Sequence, residues 1–188
     1  MNNEYNLLYK TLFIKRFEKR CLVMTNKILI VYYSLTGNTK FIAESIQKTL
    51  DADIQQIIPK KDVKPKGVMK YLWGGYKATM KKKPELEPIE KDPNIYDIIF
   101  IGTPVWAWTI APPIRSFLAK HDLSGKKVGL WCCSAGSSGG TLKTMEKFLE
   151  NSEILGKIKF VDPLKINPED SKNKAIDWAN EILLKSGP

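Results

Sequence analysis

From residue 28 onward the chain alternates between two apolar patterns. Ile28-Leu29-Ile30-Val31-Tyr32-Tyr33 is an unbroken apolar run. Phe41, Ile42, Ser45, Ile46 and Leu50 then recur at three- and four-residue steps, the period of an amphipathic helix. A short second strand is predicted over residues 53–58, stopped by Pro59. Asp97-Ile98-Ile99-Phe100-Ile101-Gly102 is again almost wholly apolar, as in strands covered on both faces. After Pro112-Pro113 a helix is predicted from Ile114 to Lys120, and Lys127-Val128-Gly129-Leu130-Trp131-Cys132-Cys133 reads as a fourth strand. Thr141 to Leu149 reads as a helix with Leu142, Met145, Phe148 and Leu149 inward. Ile158-Lys159-Phe160-Val161 is the fifth strand, and Ala175, Trp178, Ala179, Ile182 and Leu183 mark a closing helix. Strands that alternate with helices predict an α/β fold, with a five-stranded parallel sheet between two layers of helices.

Two stretches fall outside this rhythm. Residues 60–94 are rich in Lys and Pro and read as an insertion, within which Val68, Met69, Leu72, Trp73 and Tyr76 form one helical face. Residues 1–23 mix Tyr5, Leu8, Leu12 and Phe13 with five basic residues, and no apolar core of signal-peptide length appears. The expected organisation is a weakly ordered extension, 1–23, followed by one domain, 24–188. Charge follows the same division. The net charge is +10; residues 1–23 hold five basic and two acidic residues, and residues 60–83 hold nine lysines and one acid, Asp62. The rest of the chain is therefore close to neutral, and the excess is confined to two segments.

The 188 residues are enough for one domain with a sizeable core. No apolar run approaches the roughly 20 residues that span a bilayer, so a cytoplasmic location is expected, with membrane contact only through 1–23. Three cysteines, Cys21, Cys132 and Cys133, make neither a disulfide framework nor a metal spacing, and His121 is the single histidine. No metal site and no catalytic triad are expected. His121 reads as a surface residue at a helix end.

The candidate chemistry lies in the loops that leave the strands. The first strand breaks into Ser34-Leu35-Thr36-Gly37-Asn38-Thr39, and a helix starts at once. A helix start has unpaired N–H groups and a dipole that favours negative charge. Ser34, Thr36, Asn38 and Thr39 add side-chain donors, and Gly37 lets the backbone approach closely. No Lys or Arg occurs before Lys40, so the turn is suited to holding a phosphate with neutral donors. It has neither the Walker spacing nor Gly-x-Gly-x-x-Gly. The third strand exits into Thr103-Pro104-Val105-Trp106-Ala107-Trp108, and the fourth into Ser134-Ala135-Gly136-Ser137-Ser138-Gly139. On an extended chain Trp106 and Trp108 would share one side.

These three loops together resemble the flavodoxin family, whose phosphate loop reads Thr/Ser-x-Thr-Gly-x-Thr. The resemblance covers about residues 27–185 and implies the strand order 2-1-3-4-5, with ligands bound where the winding reverses, between strands one and three. It implies FMN as cofactor, with its phosphate at Ser34, Leu35, Thr36, Gly37, Asn38 and Thr39. One of Trp106 and Trp108 would lie against the ring, while Thr103, Pro104, Val105 and Ala107 complete that loop. Ser134, Ala135, Gly136 and Gly139 would run alongside the ring edge. The implied function is electron transfer through the flavin. The chain would act as a carrier with a redox partner protein, or as an NAD(P)H-dependent reductase of a quinone or other small acceptor. Two features depart from the family's electron carriers: no strongly acidic surface, and a lengthened connection whose Trp73 and Tyr76 could fold over the flavin. A different reading leaves out the flavin and uses the lysines of 60–83, interleaved with Tyr71, Trp73 and Tyr76, to contact nucleic acid or an anionic membrane. The absence of arginine from the segment and its shortness argue against it.

Overall fold

The computed structural model describes residues 26–61 and 83–187. The extension 1–23, the helical face proposed around Val68 and Trp73, and most of the lysine-rich stretch lie outside the described residues.

The strands are β1 (Ile28–Tyr32), β2 (Asp53–Gln56), β3 (Ile98–Trp106), β4 (Thr109–Ile110), β5 (Lys127–Ser134) and β6 (Glu153–Val161). The helices are α1 (Asn38–Leu50), α2 (Pro112–Lys120), α3 (Thr141–Glu146) and α4 (Pro168–Lys185). The main sheet runs β2-β1-β3-β5-β6, with every neighbour parallel, and β4 pairs antiparallel with the end of β3. The five parallel strands thus take the expected order.

The apolar runs explain why the sheet is a central layer. Along β1, Ile28, Ile30 and Tyr32 point into a core shared with Ile42, Ile46, Ala179 and Leu183 of α1 and α4. Leu29, Val31 and Tyr33 point the opposite way, into a core with Ile114 and Phe117 of α2 and Met145 of α3. Ile98 and Phe100 of β3 repeat the first parity, Ile99 and Ile101 the second. A strand whose both faces are buried has no polar positions to show, hence the unbroken runs.

Three features differ from the sequence reading. β6 begins at Glu153, well before Ile158. It closes one edge of the sheet, where the charged and exposed Glu153, Lys157 and Lys159 interrupt the apolar signal. α3 stops at Glu146, and the next bonds, Phe148 N–H to Met145 O and Leu149 N–H to Glu146 O, wind more tightly than an α-helix. His121 is half-buried, stacked at a tilt on Phe117 with ring centroids 4.8 Å apart, and burial lowers its pKa.

The far end of the 60–94 stretch returns along the sheet. Pro59 bridges Leu86, and Gln55 Oε1 of β2 accepts bonds from the Glu90 and Lys91 N–H groups. No helix among the described residues is long and apolar enough to cross a membrane.

Candidate functional site

Parallel strands share one carboxyl end, so the exits of β1, β3, β5 and β6 gather there. A cleft of about 410 Å³ opens between them. Its walls are Leu35, Thr36 and Asn38 from the first exit, Pro104, Val105 and Trp106 from the second, and Cys133, Ser134 and Ala135 from the third. Asp162, Leu164 and Lys165, at the exit of β6, complete it.

At the first exit α1 starts without a cap. Its N-cap residue is Gly37, at φ 93°, ψ −22°; no side chain caps the first turn, and no acid lies in it. The amino end of the helix therefore presents bare N–H groups. Ser34 Oγ and Thr39 Oγ1 are buried without a hydrogen-bond partner. The Thr39 hydroxyl does lie near the Cys133 thiol, close enough to favour its thiolate slightly, but forms no bond of ordinary geometry. A buried polar atom left unpaired costs about 1–3 kcal/mol. Two such groups stand at one uncapped helix start, next to the cleft-lining Leu35, Thr36 and Asn38 though not themselves in its lining.

Asn38 behaves otherwise than expected. Its side chain is already engaged: Nδ2 donates to Asp162 Oδ1 at 3.3 Å, and Oδ1 accepts from the Leu164 N–H at 3.2 Å. Leu164 also covers the turn, with its Cδ1 3.1 Å from where a Cβ on Gly37 would stand. The Asn38 amide is thus a clasp between the turn and the β6 exit. Thr36 is exposed at the cleft mouth, and Leu35 is half-buried.

At the second exit Thr103 is fully buried. Its hydroxyl donates to Pro104 O and accepts from the Ala111 N–H, both at 3.0 Å, so it braces the loop from within. Trp106 stands in the cleft wall, edge-on to Tyr33 with centroids 5.7 Å apart and planes at 85°. The chain then turns back into β4 through Ala107 (φ 47°) and Trp108 (φ 58°). Two residues of positive φ between antiparallel partners make a type I′ hairpin. The expectation that both tryptophans share one side of an extended chain is therefore overturned. Trp106 faces the cleft, whereas Trp108 sits on the hairpin tip, 69% exposed and outside the cleft lining.

At the third exit Ser134 Oγ donates to Gly136 O at 2.7 Å, leaving Ala135 and Gly136 exposed. Gly139 (φ 49°) packs against the Trp108 backbone, where a Cβ would come within 2.5 Å of Trp108 Cβ. The Gly140 N–H donates to Trp108 O at 3.1 Å. Gly139 thus buttresses the hairpin and does not line the cleft. Burial pushes the Cys132 thiol up to about 11 and the Cys133 thiol up further, which favours the protonated form of both.

A family profile described as Flavodoxin matches residues 27–182. The chain belongs to the flavodoxin family. It is 24% identical over 171 residues to a flavodoxin of Maridesulfovibrio salexigens, covering 85% of this chain and 99% of that one. Among solved structures it is similar to a flavoprotein of Lactobacillus acidophilus NCFM in complex with FMN. The identity is 25%, the TM-score 0.62, and the coverage 77% of this chain and 99% of that one. It is also similar to oxidised Flavodoxin 2 of Bacillus cereus, at 23% identity and TM-score 0.55, covering 85% and 99%.

The chain has a second depression, of about 440 Å³, at the amino end of the strands, bordered by Lys27, Asp51, Asp53, Ile95 and Tyr96. The Asp53 and Tyr96 side chains there are paired. Tyr96 Oη donates to Asp53 Oδ2 at 2.9 Å, and Lys91 Nζ meets Asp53 Oδ1 at 2.7 Å. Bonds from Lys91 and Tyr96 hold the Asp53 carboxyl below its usual range, while burial and Asp53 push Tyr96 up to about 12. Among the described residues no cluster of His, Cys, Asp or Glu has the geometry of a metal site.

The exit of β6 is the part of the site that the sequence reading missed. Its one signal was topological. In an all-parallel sheet the fifth exit opens on the same edge as the first three, so Asp162-Pro163-Leu164-Lys165 belonged among the candidates.

Proposed function

We propose that this flavodoxin binds FMN in the carboxyl-end cleft and transfers electrons through it. The carrying observation is the pair of buried, unpartnered hydroxyls, Ser34 and Thr39, at the uncapped start of α1. These residues fit the group: a phosphate has acceptor oxygens and no donors when ionised, which is what orphaned hydroxyls and bare N–H groups lack. Thr36, exposed at the same mouth, adds a further hydroxyl. When bound, the flavin supplies the one- and two-electron chemistry. The protein's part is to hold and screen it. Trp106 excludes water from one side of the cleft. The small residues Ala135 and Gly136 leave main chain accessible along the other. Lys165 is the single basic side chain in the cleft lining and offsets negative charge there. The resemblance to the L. acidophilus protein solved with FMN supports the same assignment.

Within this reading electrons reach the flavin from NAD(P)H or from a redox partner protein, and leave to a small acceptor or a second protein. The test has two parts. Purified protein reconstituted with FMN is expected to show a bound flavin spectrum, and replacing Ser34 and Thr39 together by Ala and Val is expected to abolish retention. Colourless protein that takes up no FMN overturns the reading. Anaerobic addition of NADPH or NADH to the loaded protein then separates the two routes. Bleaching supports the reductase, and an unchanged spectrum supports the carrier.

A further inference from the structure

Arg115 lies in the first turn and a half of α2, packed against the hairpin, and only 7% of its surface reaches solvent. It is the single arginine among the described residues. No carboxylate there pairs with it; the described ion pairs are all made by lysines. Nη2 donates one bond, to Thr109 Oγ1 at 3.3 Å, and Nε is buried without a partner. The Phe148 ring, with its centroid 6.0 Å from Cζ, gives weak compensation. Arginines this deeply buried are ordinarily paired, because an uncompensated charge is costly to desolvate. Its position near the amino end of a helix adds an unfavourable dipole. No charge partner among the described residues accounts for a guanidinium at this position.

Its surroundings give a reason. Thr109 is the cross-strand partner of Trp106. Thr109 Oγ1 also donates to Thr144 Oγ1 at 3.5 Å, Thr144 Oγ1 donates to Gly140 O at 2.9 Å, and the Gly140 N–H returns to Trp108 O at 3.1 Å. The circuit joins the second and third exits, and the guanidinium is bonded to the cross-strand partner of the cleft-lining Trp106.

We propose that Arg115 is an internal counter-charge for the reduced flavin, held uncompensated behind the Trp106 hairpin so that reduction of the bound cofactor is favoured. The proposal rests on the FMN reading above. Two electrons and one proton, taken from an external reductant, leave the initially neutral ring with one negative charge. A fixed positive charge in a weakly polarisable interior stabilises that charge at a range where surface lysines are screened. An acidic carrier surface works against reduction; a buried arginine in a near-neutral scaffold works for it.

The experiment equilibrates FMN-loaded protein anaerobically with dithionite and a redox dye, and reads the ratio of reduced to oxidised flavin at one dye potential. Arg115→Met is expected to lower that ratio at least fivefold, and to do so equally in about 1 M salt, where the screening length is about 3 Å. Thr144→Asp, which places a carboxylate next to Thr109, the guanidinium's partner, without removing the guanidinium, is expected to lower the ratio in the same direction and decides the matter if Arg115→Met does not fold. Thr109→Val, which cuts the hydrogen-bond circuit but keeps the charge, is expected to stay within twofold of the parent. An unchanged ratio in folded Arg115→Met or Thr144→Asp overturns the proposal, and so does a Thr109→Val loss as large as that of Arg115→Met. Failure of the parent protein to bind FMN instead overturns the functional reading.

Discussion

The two ends of the sheet carry depressions of similar size, about 410 Å³ at the carboxyl end and about 440 Å³ at the amino end. They differ in what their polar atoms are doing. At the amino end the Asp53 carboxylate is held by Lys91 and Tyr96, and the Asp97 carboxylate accepts from the Lys27 N–H at 2.8 Å. At the carboxyl end Ser34 and Thr39 have buried hydroxyls with nothing to bond, beside a helix start with no cap. Volume does not distinguish a binding site from a surface dimple here. The two ends differ in unspent hydrogen-bonding capacity beside an uncapped helix start, and a buried polar group without a partner calls for a specific explanation.

The largest effect that could break this contrast is at Thr39. Thr39→Val keeps the shape and removes the orphan, so the empty protein is expected to be at least as stable in denaturant. FMN affinity is expected to fall by about ten- to a hundredfold, the roughly 1.5–3 kcal/mol of a hydrogen bond to a charged group. Equal loss of folding stability and affinity would place Thr39 with the structural groups of the other end.

Tyr96→Phe is the matching change at the amino end. It should cost about 1 kcal/mol of folding stability and leave FMN affinity untouched. The pH dependence follows from the directions of shift. The depressed Asp53 carboxyl contributes stability that is full above the ordinary carboxylate pKa of about 4 and lost as pH falls through its lower folded value. The raised Tyr96 hydroxyl contributes stability that is full below about pH 10 and lost as pH rises toward about 12. Denaturation of the parent and of Tyr96→Phe across both limits should show the variant flatter at each.

A smaller effect is expected at Ala107, which holds a left-handed conformation in the hairpin. Ala107→Gly should raise stability by about 0.5–1 kcal/mol, read as a shift of a few degrees in melting. Asn38→Ala should be smallest in affinity, a few-fold, because its amide is already engaged by Asp162 and Leu164. Its signature is faster hydrogen exchange at the Leu164 amide.

The doubly buried strands β1, β3 and β5 could be read directly, since burial on both faces leaves an apolar run that nothing else in a small domain imitates. The strand exit and helix start over Ser34–Thr39 were legible because their signals are local. Three things were not. The start of β6 was hidden by the charges that an edge strand carries. The opposite fates of Trp106 and Trp108 depend on Ala107 and Trp108 adopting positive φ, which residues without glycine's freedom give no reason to expect. The engagement of Asn38 is a contact across more than a hundred residues with Asp162, invisible to any local pattern.

The bare amino end of α1 bears on how the molecule responds to heat. A capping side chain there would contribute about 1 kcal/mol to the empty form, and none is present. Whatever occupies that end takes over the cap's work by mass action, so each tenfold excess over its dissociation constant adds about 1.4 kcal/mol to the unfolding free energy. The midpoint of a melting curve for this protein is thus a reading of free ligand concentration as much as of sequence.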